Sequence, residues 1–195
     1  MELLRTDRLL LRNWDESDVA AFFDVYSLEE VARWLGAHPR RPVATVAEAQ
    51  ERLGRWREHE RGLSPPLGLW AIVPFTAGPP GQPGVPGVPG VPVGTILLLP
   101  LTDDDGPTGL VEVGWHLHPE FQGRGLATEA ARAVLVLAAK TGMDEVLALT
   151  DLDNTPSQRV AERLGMTGEG VTERWFGETM RQYRNVIRPH SPQRS

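Results

Sequence analysis

The sequence predicts a mixed α/β fold of the α+β kind, in which a mostly antiparallel sheet is flanked by helices. Strand-like apolar runs and helical apolar periods alternate along the chain, and no segment repeats at the scale of a domain. The length of 195 residues suits one compact domain. We place that domain at residues 1–188 and expect residues 189–195 to form a frayed tail.

The first third of the chain predicts a strand followed by three helices. Asp15 suits the N-cap of the first helix, and Thr45 with Glu48 forms the S/T-x-x-E pattern that precedes the third. The strand and the short second helix are expected at residues 8–12 and 28–35. The inner face expected for the third helix consists of Val46, Ala49, Leu53 and Trp56.

Residues 78–92 consist almost wholly of Gly, Pro and Val, with Gly-Val-Pro written three times. Proline removes backbone donors and glycine favours the unfolded chain, so this segment is unsuited to a helix or a strand ladder. Three repeats are too few for a collagen-like triple helix. We expect a hairpin extension between strands at residues 69–73 and 93–101, and no domain boundary.

The second half of the chain predicts four strands and two helices. Gly165 with Met166 behind it is typical of a left-handed C-cap, which ends the second of these helices. The first is rich in Ala, Val and Leu, so most of its circumference is expected to be buried. The strands are expected at residues 110–118, 146–150, 171–176 and 180–187, and the helices at 126–141 and 155–164.

The composition excludes several classes of protein. The chain has no cysteine, which rules out disulfides, thiolate zinc sites and a cysteine nucleophile. A net charge of −6 argues against a nucleic-acid partner. No apolar run approaches the roughly 20 residues that span a bilayer, and the N-terminus lacks the pattern of a signal peptide, so a cytoplasmic protein is expected. His116 and His118 alternate on one predicted strand, but no further ligands at metal-site spacing accompany them, and no metal is expected.

A glycine-containing loop at residues 122–127, written Q-G-R-G-L-A, lies between a predicted strand and a predicted helix. Two glycines permit a sharp turn and leave backbone N–H groups uncovered, and the following helix adds unpaired donors and a positive dipole end. These features favour a pyrophosphate site, although a plain strand–helix turn is the alternative. A dinucleotide fingerprint would need Gly where Thr128 stands, and a P-loop would need a lysine that occurs only at position 140.

Four motifs in order resemble one known family. The segment Q-x-x-G-x-A at 122–127, preceded by E-V-G-W-x-x-x-P at 112–119 and followed by Glu129 and Ala130, is similar to the coenzyme A pyrophosphate motif of the GNAT superfamily of N-acetyltransferases. The opening R-L-L-L-R-x-W-x-x-x-D at 8–18, the pair Asn154 and Ser157, and A-E-R-L-G-M at 161–166 resemble its RimJ/RimL-like branch. The resemblance covers about residues 3–187.

The resemblance implies acetyl-CoA as cosubstrate and an amine as acceptor, either a protein N-terminal amine or a small molecule. It implies a sheet whose central strands splay apart to admit the pantetheine arm, with Leu117 and His118 pairing their backbones with its amides. A homodimer is common among such relatives. The residues expected to contact the coenzyme are Leu117, His118, Gln122, Gly123, Arg124, Gly125, Leu126, Ala127, Thr128 and Asn154.

Acyl transfer to an amine requires a base and a stabilised leaving thiolate. Glu112 is the candidate base, acting through a water, and Ser157 is the candidate acid. The alternatives are an exposed strand glutamate for Glu112 and a helix-start role for Asn154 and Ser157. Because no cysteine is present to carry an acyl group, direct attack in a ternary complex is expected. A catalytically silent CoA-binding sensor or scaffold is the alternative function.

Overall fold

The computed structural model describes residues 4–36, 40–76 and 88–187. Eight strands in these ranges form one sheet. In chain order they are β1 (Leu4–Arg5), β2 (Leu9–Asn13), β3 (Gly68–Pro74), β4 (Gly94–Asp103), β5 (Gly106–Leu117), β6 (Glu145–Asp151), β7 (Thr167–Thr172) and β8 (Met180–Val186). The helices are α1 (Val19–Tyr26), α2 (Glu29–Ala32), α3 (Val46–Arg61), α4 (Leu126–Lys140) and α5 (Thr155–Arg163).

The strand order in the sheet is β1-β2-β3-β4-β5-β6-β8-β7. All neighbouring strands are antiparallel except β5 and β6, which are parallel and pair only at Glu112 and Leu147. The two central strands therefore separate beyond that point. The predicted mixed, mostly antiparallel sheet of a single α+β domain is confirmed, including the splayed centre.

The helices cover both faces of the sheet. On one face α1, α2 and α3 pack around Phe22, Tyr26 and Leu53, together with the β3 side chains Ala71 and Val73. On the opposite face α4 and α5 pack over the inner sides of β2 to β6 and Tyr183 of β8. The opening between β5 and β6 thus connects two faces of the sheet that are lined by different helices.

Local capping signals account for most of the observed helix limits. Asp15 and Asp18 form a capping box on the 3₁₀ turn before α1, and the Thr45 side chain accepts a hydrogen bond from the Glu48 N–H at the start of α3. Gly165 follows α5 with a φ of +76°, and the Met166 N–H donates to the Ala161 carbonyl at 3.1 Å. These predictions are confirmed.

Three expectations about individual elements are wrong. A strand was expected at residues 171–176, but β7 spans Thr167–Thr172, and Trp175 is buried in the turn that follows it. Val46 is 50% exposed, because it lies at the first position of α3, ahead of the part of the helix that packs on the core. On α4 the buried residues form one face, while Val136 is 53% exposed.

The glycine- and proline-rich segment lies mostly outside the described residues, as does the tail at 189–195. Its described flanks are adjacent: the Thr76 N–H donates to the Val88 carbonyl and the Gly90 N–H to the Pro74 carbonyl, both at 2.9 Å. These flanks continue into β3 and β4, which are neighbouring antiparallel strands, and the hairpin extension at residues 78–92 stays a prediction. No helix within the described ranges combines the length and the apolar character required to cross a bilayer.

Candidate active site

A cleft of about 1020 Å³ passes through the opening between β5 and β6. One end is lined by the loop before α4 and by α5, and the other by α2 and α3. Along β5, Glu112, Gly114 and His116 face the side of α1 to α3, since side chains alternate along a strand and the His116 ring contacts Tyr26 of α1. The cleft therefore joins the glycine loop to the face that carries Glu112.

The backbone of β5 presents hydrogen-bonding groups to this cleft. The His118 N–H donates to the Val93 carbonyl of the segment before β4 at 2.8 Å, and Leu117 lies opposite Gly94. Because backbone groups in an antiparallel pair point alternately toward and away from the partner, those of Trp115 and Leu117 point toward β6. β6 is no longer paired with β5 there, so these groups face the opening.

The expectation that His118 pairs its backbone with the coenzyme arm is wrong. Its N–H donates to Val93, and its carbonyl accepts a hydrogen bond from the Phe121 N–H at 2.9 Å. Its Nδ1 accepts from the Glu120 N–H at 3.3 Å. The strand has already turned away from the opening at this residue, so the groups that stay free lie earlier, in the Leu117 N–H and the Trp115 backbone.

The loop before α4 has the backbone geometry that the two glycines predicted. Gly123 and Gly125 have φ angles of +72° and +78°, and Gly125 is the N-cap of α4 without any side-chain cap. The first intrahelical bond runs from the Glu129 N–H to the Gly125 carbonyl, which leaves the preceding amides of the first turn as donors. The hydroxyl of Thr128 is buried in this turn and has no hydrogen-bond partner within the described ranges.

Side chains from the turn between β1 and β2 and from α4 hold the loop in place. Glu129 accepts hydrogen bonds from the Thr6 hydroxyl at 2.6 Å, the Arg8 N–H at 3.0 Å and the Arg8 Nε at 2.6 Å. Arg8 also donates through Nη1 to the Arg124 carbonyl at 2.9 Å. Burial alone would raise the pKa of Glu129, but the hydrogen bonds from Thr6 and Arg8 lower it. The Glu129 carboxylate is therefore ionised at neutral pH.

The side chains of Gln122 and Arg124, two predicted coenzyme contacts, have different surroundings. The Gln122 side chain donates to the Leu117 carbonyl at 3.1 Å, so it ties the loop to the end of β5. The Arg124 guanidinium lies 5.3 Å from the centroid of the Phe121 ring and has no ion pair in the part of the chain that the structure describes. Arg124 is therefore the side chain in this loop that is free to meet an anion.

Glu112 lines the cleft where β5 and β6 make their last contact. Its carboxylate has no hydrogen bond or ion pair with any described residue, and it reaches solvent only in part. Burial raises its pKa from 4.5 to about 7. An exposed strand glutamate without a function would keep an ordinary pKa, so the environment favours the role of a base at neutral pH.

His116 lines the same cleft and belongs to a buried polar chain. Its Nδ1 is 3.2 Å from the Tyr26 hydroxyl, which is 2.6 Å from the Thr95 hydroxyl. Thr95 accepts in turn from the Trp14 Nε1 at 3.1 Å. Burial lowers the pKa of His116 to about 4, so the ring is neutral and its orientation is fixed by Tyr26.

Asn154 and Ser157 lie together at the start of α5 and both line the cleft. The Asn154 side chain accepts from the Ser157 N–H at 3.3 Å, which is the helix-start role that the sequence left open. The Ser157 hydroxyl makes no hydrogen bond to other described residues and is free for a ligand.

Across the opening, the Thr150 hydroxyl is buried, lines the cleft and has no partner within the described ranges. Sequence patterns carried no signal for Thr150.

Possible metal ligands and the buried Tyr183 are two further features of the described residues. Among residues 4–36, 40–76 and 88–187 no group of three potential metal-ligating side chains comes together. Tyr183, which the sequence did not assign to a site, is 5% exposed and packs in the core under α4 and α5.

One cleft contains three features: strand backbone groups that are open to an extended ligand, a loop suited to an anion, and a carboxylate with a raised pKa. This arrangement suits an enzyme that transfers an acyl group from a coenzyme thioester. Residues 8–167 match the family described as "Acetyltransferase (GNAT) domain". The chain belongs to the GNAT acetyltransferase family, and the sequence prediction of an acetyl-CoA-dependent N-acetyltransferase is confirmed at that level.

Relatives agree with this assignment. The chain is 23% identical over 175 residues to "Uncharacterized N-acetyltransferase YoaA" of Bacillus subtilis, covering 89% of this chain and 88% of that protein. It is 38% identical over 60 residues to "Uncharacterized N-acetyltransferase YnaD" of the same organism, which is 30% of this chain and 35% of that protein. The solved structure of RimL, titled a ribosomal L7/L12 alpha-N-protein acetyltransferase in complex with coenzyme A, superposes with a TM-score of 0.70 at 20% identity, covering 95% of this chain and 98% of that one. Its fold is that expected for the RimJ/RimL-like branch.

Proposed function

We propose that this protein transfers the acetyl group of acetyl-CoA to a primary amine, which is either a protein amino terminus or a small-molecule amine. The observation that carries the proposal is the opening between β5 and β6, where unpaired strand groups lead to the glycine loop before α4. An extended arm with amide groups and a pyrophosphate at its end matches both features. The RimL structure that binds coenzyme A has the same fold.

The proposed coenzyme site uses backbone more than side chains. The Trp115 and Leu117 backbones would pair with the pantetheine arm, and the amides from Gln122 to Thr128 would hold the pyrophosphate. Arg124 adds a positive charge, and the unpartnered Thr128 hydroxyl adds a donor at the helix start. Asn154, 7% exposed and lining the cleft, has its amide NH₂ available for the coenzyme while its oxygen caps α5.

The reaction we propose is direct attack of the amine on the thioester carbonyl. The amine nitrogen forms the new C–N bond, its proton passes through a water to the Glu112 carboxylate, and the C–S bond breaks to release the thiolate of coenzyme A. The Ser157 hydroxyl donates a hydrogen bond to that thiolate. The Leu117 or Trp115 N–H at the opening polarises the carbonyl. Since the chain has no cysteine, the acetyl group is not carried on a thiol of the enzyme.

The experiment that tests this function combines calorimetry with a thiol-release assay. We expect coenzyme A to bind with measurable heat, and acetyl-CoA to release free thiol in the presence of at least one amine from a panel of peptides and small amines. Binding without thiol release from any amine would instead support the silent CoA-binding sensor or scaffold. Absence of any heat of binding would contradict both functions.

Substitution Ser157→Ala should lower kcat about 10-fold, because one hydrogen bond to a charged leaving group is worth about 1.5 kcal/mol. The affinity for coenzyme A should stay unchanged, since the Ser157 hydroxyl has no partner that holds the fold in the described residues. Steady-state thiol release and calorimetry measure the two effects. Ser64→Ala, at an exposed turn far from the cleft, is the control. An unchanged kcat for Ser157→Ala would remove Ser157 from the mechanism.

Several predictions accompany this function. A homodimer and a cytoplasmic location stay predictions, and neither a nucleic acid nor a membrane is expected as partner. The RimL title names the amino terminus of a ribosomal protein as the acceptor of that enzyme. The identity of the amine for this chain is set by the side of the cleft that carries Glu112 and His116.

A further inference from the structure

The amine side of the cleft has a wall made by one face of α3. Arg52, Arg55, Trp56 and His59 all line the cleft, and their spacing of three, four and seven residues places them on one side of the helix. Trp56 fixes the direction of this face, because its ring packs 5.2 Å from Phe22 and 5.1 Å from Tyr26. The positive side chains beside it are therefore held toward the cleft.

Arg52 is a largely buried cation without a close counter-ion. Its side chain is 12% exposed, and the nearest carboxylate, Glu48, is 4.0 Å away. Glu48 is already engaged by Arg41 at 2.6 Å and by the Ala44 N–H at 2.9 Å. The two hydrogen bonds from Arg52 to the Arg41 carbonyl are long, at 3.4 Å each. Burial lowers the pKa of Arg52, which reflects the cost of keeping this charge away from water.

Arg55 increases the positive charge of the same wall. It is exposed and forms no ion pair with any residue that the structure describes, and its charge acts unfavourably on Arg52. Three described acidic side chains line the cleft, Glu30, Glu112 and Asp151, and Glu30 is exposed on α2, where solvent screens its charge. Asp151 is bound to Arg40 at 2.6 Å, and burial gives Glu112 a pKa of about 7. Although its net charge is −6, the chain thus carries two arginines in its cleft whose charges are only weakly compensated.

Burying a guanidinium whose counter-ion is distant and shared costs free energy, and a ligand carboxylate recovers that cost through charge-assisted hydrogen bonds. The coenzyme phosphates do not account for these arginines, because the glycine loop before α4 lies on the opposite face of the sheet. We propose that the acceptor of this acetyltransferase carries a carboxylate close to its reactive amine, and that Arg52 and Arg55 bind this carboxylate. This inference rests on the proposed function.

The test compares closely similar acceptors that differ in the charge carried near the amine. One pair is a small amino acid and its amide, and another is a set of C-terminally amidated tripeptides whose second residue is aspartate, asparagine or phosphoserine. We expect kcat/KM to be at least about 10-fold higher for the carboxylate-bearing member, with a ratio that falls as salt is added. Arg55→Met should reduce this ratio to near one, and Arg55→Glu should reverse it in favour of basic acceptors.

Arg61→Glu is the matched control, since Arg61 lies on α3 outside the cleft and pairs with Glu58. It should leave the ratio unchanged, and Arg52→Met should lower the ratio while coenzyme A still binds. Equal rates for charged and neutral acceptors, or a ratio that does not respond to Arg55, would overturn the inference while the acetyltransferase function stands. Preference for phosphoserine alone would also overturn the assignment to a carboxylate. Failure of thiol release with every amine would contradict the function itself, and the inference with it.

Discussion

Replacing Glu112 by Gln is expected to lower kcat by about 10²–10⁴-fold, which is the range that a positioned general base contributes. The amide is similar in size to the carboxylate but cannot accept the proton of the attacking amine. Coenzyme A should bind as in the wild type, because Glu112 faces α1 to α3 and the loop proposed to hold the phosphates is on the other side. Thiol release and calorimetry with coenzyme A measure the two quantities.

The pH profile gives a second readout for Glu112. Burial raises its pKa to about 7, so below pH 6 the group is mostly protonated and cannot act as a base. The rate of the wild type should therefore rise as the pH passes through about 7, and Glu112→Gln should lose this rise. Glu120→Gln, an exposed change on the loop beyond β5, is the control. A variant at Glu112 that kept both its rate and its pH profile would show that the base is another group.

Substitution Gly125→Val is expected to weaken the binding of coenzyme A by about 100-fold or more. Gly125 has a φ of +78°, a conformation that a β-branched residue avoids, so the backbone of the loop must rearrange. The amides of the first turn of α4 would then no longer converge on one anion. Losing two amide–phosphate hydrogen bonds, each about 1.5 kcal/mol, corresponds to a change of this size in Kd.

Gly109→Val provides a control for backbone strain. Gly109 has a φ of +75° at the start of β5, and an added Cβ would meet nothing within 4 Å, so the strain is comparable but lies far from the cleft. We expect the melting temperatures of the two variants to fall by similar amounts. Only Gly125→Val is expected to lose affinity for coenzyme A in calorimetry. Equal affinity for the two variants would mean that the loop is not the phosphate site.

Local sequence patterns predicted much of the fold because the interactions that define those elements are short in range. The capping box at Asp15, the cap at Thr45 and the left-handed Gly165 each involve residues within a few positions of one another. The β7 strand was misplaced because its exposed, glycine-containing sequence has no apolar alternation. Its position depends on pairing with β8, which no local pattern reports.

In the candidate site too, the residues within short motifs were predicted and those that depend on tertiary contacts were not. The glycine loop and the positions of Glu112, Asn154 and Ser157 were predicted from short motifs. Thr150 was missed because a buried threonine on an apolar strand resembles any core residue, and its unpartnered hydroxyl exists only once the opening forms. His118 was misassigned because the residue at which β5 leaves the opening depends on its hydrogen bond to Val93, across the sheet.

The amino-acid sequence alone determined that a strand ends in a loop able to turn through two left-handed glycines, followed by a helix with free amides. It also determined the family and the absence of a cysteine nucleophile. Only the tertiary structure decided that Arg8 and Glu129, 121 positions apart, clamp that loop, and that Arg52 and Arg55 face the amine side of the cleft. Backbone conformation follows from neighbouring residues, whereas the burial and charge environment of a side chain depends on elements that meet only when the chain has folded.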